Sequence, residues 1–110
     1  MIEQGDIFLA DLNPVKGHEQ SGLRPVLVMQ NDILNKNLNT VLIAPITSNL
    51  QAKGKLTTFF LTSTSSGLQH DSVILLFQMR TIDITRLTKK LTHLSTPQFL
   101  LIKDQLRFIF

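Results

Sequence analysis

Two side chains in this sequence stand at strand ends and have the chemistry to handle a phosphate: Arg24 and Thr47. Arg24 closes a polar, glycine-containing stretch, Gly17 to Gly22, and precedes the apolar run Pro25-Val26-Leu27-Val28-Met29. Such a position sets a side chain at a rim rather than in a core. A guanidinium is planar and permanently charged, and it can hold two phosphate oxygens at once. By position alone the plainer reading of Arg24 is a strand-end arginine in a surface ion pair. Thr47 follows the run Val41-Leu42-Ile43-Ala44-Pro45-Ile46, where the chain leaves its sheet. Its hydroxyl can hydrogen-bond a phosphate oxygen, but its intrinsic pKa makes it a poor general acid, so it suits binding and positioning. Capping a turn is the commoner use of such a hydroxyl. Ser48 is a weaker partner at the same place.

Three further candidates lie in the loop before Arg24. His18 can titrate near neutral pH and so act as acid or base; Glu19 could hold Arg24 or accept a proton; Gln20 adjoins them. The plainer reading of a loop histidine is an inert, solvated one. His70 reads as a turn residue before Asp71-Ser72, and His93 as part of the approach to the last helix. Lys53 and Lys55, in the loop after Thr47, could track a nucleic-acid backbone.

The whole chain limits what these residues can serve. Its 110 residues fit one domain spanning 1–110, and at 43% hydrophobic they can build a real core. With no cysteine, disulfides, thiolate nucleophiles and Cys-based zinc sites are excluded together. No apolar run reaches the 18 or so residues of a membrane span. The N-terminus lacks a basic region followed by an apolar one, so no signal peptide is expected and the protein is expected to be cytoplasmic. The net charge of +3 favours polyanionic partners. Arg80, Arg86, Lys89 and Lys90 face only Asp83 in their stretch, which reads either as a binding surface or as a solvated one.

The elements that would position the candidates are mostly short strands. Ile7–Leu12, Pro25–Met29, Val41–Ile46, Thr57–Leu61, Ser72–Gln78 and Leu87–Leu91 read as strands. The runs from Pro25 and from Val41 are apolar enough to be buried on both faces. Pro45 has no N–H to donate and must sit at a bulge or an edge. Asn31 to Asn39 reads as a turn or short helix, and Ser63 to Gly67 as a turn. At the end the period changes: Phe99, Ile102, Leu106 and Ile109 recur at helical spacing. Thr96 before Pro97, or Ser95 with Gln98, supplies the start signal. The expected fold is mainly β with a C-terminal helix, a compact antiparallel barrel-like sheet with the helix packed on it.

Four segments together resemble the MazF/PemK (Kid) family of toxins: Gly5-Asp6-Ile7-Phe8 with Asp11-Leu12-Asn13-Pro14; Gly17-His18-Glu19-Gln20-Ser21-Gly22-Leu23-Arg24-Pro25-Val26-Leu27-Val28; Ala44-Pro45-Ile46-Thr47-Ser48; and Asp71-Ser72-Val73-Ile74-Leu75-Leu76 leading into Gln78-Met79-Arg80-Thr81-Ile82-Asp83. The resemblance covers most of residues 5 to 94. It implies an SH3-like barrel of bent antiparallel strands, the fold also used by CcdB-type toxins. It implies a homodimeric, metal- and cofactor-independent endoribonuclease of a toxin-antitoxin system. Such an enzyme cuts single-stranded mRNA by attack of the RNA's own 2′-hydroxyl, leaving a cyclic phosphate and a 5′-hydroxyl. The implied partners are RNA, a cognate MazE/PemI-like antitoxin, and DNA only through the antitoxin complex, with no membrane.

The same resemblance makes Arg24 the catalytic arginine and Thr47 its companion, and it brings His18 and Glu19 into the catalytic set. Gln20, Ser48, Lys53, Lys55, Gln78 and Arg80 are then expected to contact substrate, although Arg80 could instead pair with Asp83. Phe77 departs from the family, many members of which carry an acid there. It could stack on a base, but a Phe in an apolar strand usually packs in a core or dimer contact. Phe59 and Phe60 are further stacking candidates, with at least one expected in the core. The alternatives are a gyrase-inhibiting toxin of the same fold, whose tryptophan-containing C-terminus this chain lacks, and a catalytically inactive nucleic-acid-binding module.

Overall fold

The computed structural model describes residues 1–12 and 22–110. Among these residues seven strands form antiparallel ladders: β1 (Asp6–Asp11), β2 (Leu23–Val28), β3 (Thr40–Thr47), β4 (Thr58–Leu61), β5 (Ser72–Leu75), β6 (Arg80–Asp83) and β7 (Leu87–His93). Three helices interrupt or end them: α1 (Asp32–Asn37), α2 (Ser63–Ser66) and α3 (Thr96–Gln105). Neighbouring strands run β4-β5-β3-β2-β1-β7, with β6 also paired to β3. No ladder among the described residues joins β7 back to β4, so the expected barrel is an open, bent sheet.

β3 organises that sheet. Ile43 pairs with Val28 of β2 and with Arg80 of β6, so those strands flank it on opposite edges. Farther along, Ile46 and Thr47 pair with Ile74 and Val73 of β5. Pro45 lies between the β6 and β5 ladders and faces Val26 of β2. The proline is thus accommodated where one edge changes partners, since it has no N–H for a ladder.

Why β2 and β3 read as unbroken apolar runs is now clear. Side chains alternate between the two faces of a strand, and here both faces are buried. Leu27, Ala44 and Ile46 join a core with Ile74, Leu76, Phe99 and Ile102. Val26, Val28, Val41 and Ile43 join a second one with Ala10, Leu12 and Ile82. α3 closes the first core with Phe99 and Ile102, while Leu106 and Ile109 pack at its margin. Its N-cap is Ser95, whose hydroxyl accepts from the Gln98 N–H at 3.3 Å. The Gln98 side chain donates to Ser65 rather than completing a reciprocal box.

Two expectations need correction. The run from Ser72 is a strand only to Leu75; Leu76–Gln78 form a 3₁₀ turn that leaves Phe77 52% exposed, outside the core. β6 had no sequence signal of its own. Its Asp83 caps the 3₁₀ turn Ile84–Arg86, and bonds from the Thr85 hydroxyl and N–H hold that carboxyl below the usual aspartate range. The Arg80 guanidinium, expected beside Asp83, donates instead to the Leu12 carbonyl at 3.0 Å.

Candidate active site

Arg24 and Thr47 come together through strand register. The β2–β3 ladder pairs Val26 with Pro45. Carried on by two residues, that register sets Arg24 opposite Thr47, and alternation puts both on the same side of the sheet. Both line one cavity of about 470 Å³, together with Ser48. Arg24 is exposed at its rim, and Thr47 is half-buried.

The threonine is held for donation. Its Oγ1 accepts from the Asn49 N–H at 3.1 Å, and the Asn49 side chain in turn accepts from the Gln51 N–H at 3.1 Å, capping the 3₁₀ turn Leu50–Ala52. A hydroxyl that accepts through one lone pair still has its own proton to give. Turn capping and phosphate binding are therefore compatible uses of one side chain.

The opposite wall comes from the segment between α2 and β5, which contributes Leu68, Gln69 and His70, and from Ser72 at the start of β5. Leu9 of β1, Pro25 of β2 and Leu91 of β7 add apolar surface against which a ribose or base can lie. Gly67 starts the segment with φ +82°, as the left-handed cap of α2. A Cβ there would meet the Thr92 hydroxyl oxygen at 2.7 Å, and that hydroxyl donates to the Ser66 carbonyl at 3.0 Å. Gly67→Ala should therefore destabilise the fold by about 2 kcal/mol, combining the left-handed penalty with the clash. Urea unfolding that shows parental stability would refute this cap.

Other expected site residues lie elsewhere or outside the described residues. His18, Glu19 and Gln20 fall among residues 13–21, outside those described. Lys53 and Lys55 are exposed but do not line the cavity; the Lys53 ammonium lies 4.3 Å from the centroid of the Phe60 ring. Phe59 packs against the first core, so one of the two phenylalanines is spent there. Gln78 and Arg80 are not brought to the cavity either. Arg80 pairs with Ile43, four residues from Thr47 and so about 13 Å along β3.

Part of the basic stretch is tied into the fold. Arg80 holds the Leu12 carbonyl, Arg86 the Asp11 carbonyl, and Lys90 the Asp6 carboxylate. Sequence reasoning missed His70 and the wall around it, because no periodicity or charge pattern marks a loop that folds back onto a strand end. It also missed His93, whose Nδ1 lies 2.6 Å from buried Asp6.

Comparison with known proteins decides the lineage. Residues 3–110 match the model of the PemK-like, MazF-like toxins of type II toxin-antitoxin systems. The chain belongs to this family. Endoribonuclease EndoA of Bacillus subtilis is 52% identical over 95 residues, which cover 86% of this chain and 81% of that protein. Endoribonuclease MazF of Staphylococcus saprophyticus is 49% identical over 96 residues, covering 86% and 79%. In structure, MazF (Form-I) from Deinococcus radiodurans superposes with a TM-score of 0.81 at 24% identity, covering 98% of this chain and 94% of that one. MazE-MazF (Form-II) from the same organism gives 0.76 at 25% identity, with 98% and 94% covered. For a toxin of the MazF-like family, the open, bent sheet with its terminal helix is thus the family's architecture, and its candidate cavity sits where β2, β3 and β5 end together.

Proposed function

We propose that this toxin is an endoribonuclease that cleaves single-stranded mRNA with the substrate's own 2′-hydroxyl as nucleophile. The observation that carries this reading is the convergence of Arg24 and Thr47 on one open cavity, in a chain about half identical to named endoribonucleases. Attack of O2′ on the adjacent phosphorus needs in-line geometry, charge stabilisation and two proton transfers. Arg24 grips two non-bridging oxygens and neutralises the charge that builds on the phosphorane. The Thr47 hydroxyl donates to one of those oxygens, and Ser48 assists at the same rim. Because the nucleophile belongs to RNA, no metal-bound water is required, and DNA of the same sequence is spared.

The working form is a homodimer, for which Leu100, Leu101, Phe108 and Phe110, exposed on and after α3, supply apolar surface. A MazE-like antitoxin is the cognate inhibitor, by analogy with the MazE-MazF assembly of D. radiodurans. DNA is reached only through that complex, and the compartment is the cytoplasm. Purified protein incubated with matched RNA and DNA oligonucleotides tests the reading. Cleavage confined to RNA is expected, and cleavage of both, or of neither, would overturn it.

A further inference from the structure

The described lining of the cavity includes one imidazole, that of His70. Among its described lining residues only Arg24 and His70 are ionisable, and an arginine stays charged. The hydroxyls of Thr47, Ser48 and Ser72 lose protons far above pH 7. An imidazole is the side chain ordinarily suited to proton transfer at that pH, and His70 is the histidine in the described lining.

Its setting points the same way. β5 pairs Val73 with Thr47, so the segment before β5 runs alongside the end of β3. In strand order His70 stands on the β5 side of Thr47, and Arg24 stands on the β2 side. The backbone around His70 is pinned. Its carbonyl accepts from the Ser72 hydroxyl at 3.0 Å, Asp71 accepts from the Ser63 N–H at 2.7 Å, and the Ser66 hydroxyl accepts from the Leu68 N–H at 3.0 Å. The imidazole itself makes no hydrogen bond or ion pair with any described residue, and it is exposed at the cavity. A pinned loop thus presents an uncommitted imidazole to the place where Arg24 and Thr47 would hold a phosphate.

We propose that His70 is a proton-transfer residue of RNA cleavage, an assignment that rests on the ribonuclease reading above. As the P–O2′ bond forms and the P–O5′ bond breaks, O2′ must lose a proton and O5′ must gain one. His70 carries one of these protons, as a neutral base toward O2′ or as an imidazolium acid toward O5′.

Single-turnover cleavage of one RNA oligonucleotide between pH 5 and 9 tests this. The parent is compared with His70→Ala and His70→Gln, each checked for parental melting. Both variants should cut at least about 10²-fold more slowly, lose a limb of the pH–rate profile near neutrality, and bind a 2′-deoxy version of the oligonucleotide as the parent does. A substrate with sulfur at the bridging 5′ position needs no proton on its leaving group. If it restores the His70→Ala rate, the residue is the acid; if the rate stays low with the limb still missing, it is the base. Either result upholds proton transfer. A rate within about threefold of the parent, or a slower rate with the parental pH profile intact, overturns it. Failure of the parent to cut any RNA would instead remove the ribonuclease reading itself.

Discussion

Arg24→Ala should cut RNA about 10³-fold more slowly than the parent, a loss in the range seen when one transition-state donor or arginine is removed. Folding should be almost unaffected, with melting within about 3 °C of the parent. The two halves of this expectation have separate causes. The backbone of Arg24 is fixed by β2, where it pairs with Ala10 of β1, and that ladder does not depend on the side chain. The guanidinium is exposed at the cavity rim, so truncating it leaves the buried cores on either face of β2 intact. What should be lost is the proposed two-point hold on the phosphoryl group. Arg24→Lys keeps the charge but not that fork, and only partial recovery of rate is expected. Rate constants for the three proteins, set beside thermal melts, check the argument. Similar rates in all three would remove Arg24 from the site.

The second large effect concerns stability. Asp6 is fully buried at the start of β1. Its Oδ2 accepts from the Glu3 N–H at 2.9 Å, while Oδ1 lies 2.6 Å from His93 Nδ1 and 3.1 Å from Lys90 Nζ. Asp6 and His93 are also ladder partners, so the carboxylate ties the first strand to the last. Breaking a buried pair costs about 3–5 kcal/mol. Both partners are about half exposed and can regain water when the carboxylate goes, which lowers the figure. Asp6→Ala should therefore destabilise the protein by about 2–3 kcal/mol. Asp6→Asn keeps an oxygen for the Glu3 N–H and should cost less. Urea titration of both variants measures this, and an alanine variant within about 0.5 kcal/mol of the parent would contradict it.

These two residues mark what the sequence makes legible. Arg24 could be picked out because a polar loop, a charged residue and a doubly buried apolar run follow one another locally. The same local logic found six strands and the terminal helix, whose periodicities are set by burial. The β3 proline announced a break in the ladder, and one is present. Asp6, by contrast, gives no sign of its partners, because Lys90 and His93 meet it only after β7 folds against β1. β6 was invisible for a similar reason. Four residues of mixed polarity become a strand only because β3 offers them an edge. Phe77 was read as a core or dimer-contact residue from its apolar neighbours, but the 3₁₀ turn takes it out of the core. Arg80 was expected to pair with Asp83 or contact substrate; its guanidinium donates to the Leu12 carbonyl, a partner 68 residues away that no local pattern marks. His70 was read as a turn residue; that it lines the cavity follows only from the loop folding back against the end of β3.

The most direct test of the central claim is digestion of a long single-stranded RNA in EDTA, with fragment ends mapped, followed by a repeat on an oligonucleotide carrying one 2′-deoxy sugar at the preferred site. The account predicts discrete cuts with 5′-hydroxyl ends that persist without divalent metal and vanish at the deoxy position. Cleavage that continues through the deoxy sugar, or 5′-phosphate ends, would mean that water and not the RNA supplies the nucleophile, and would contradict it.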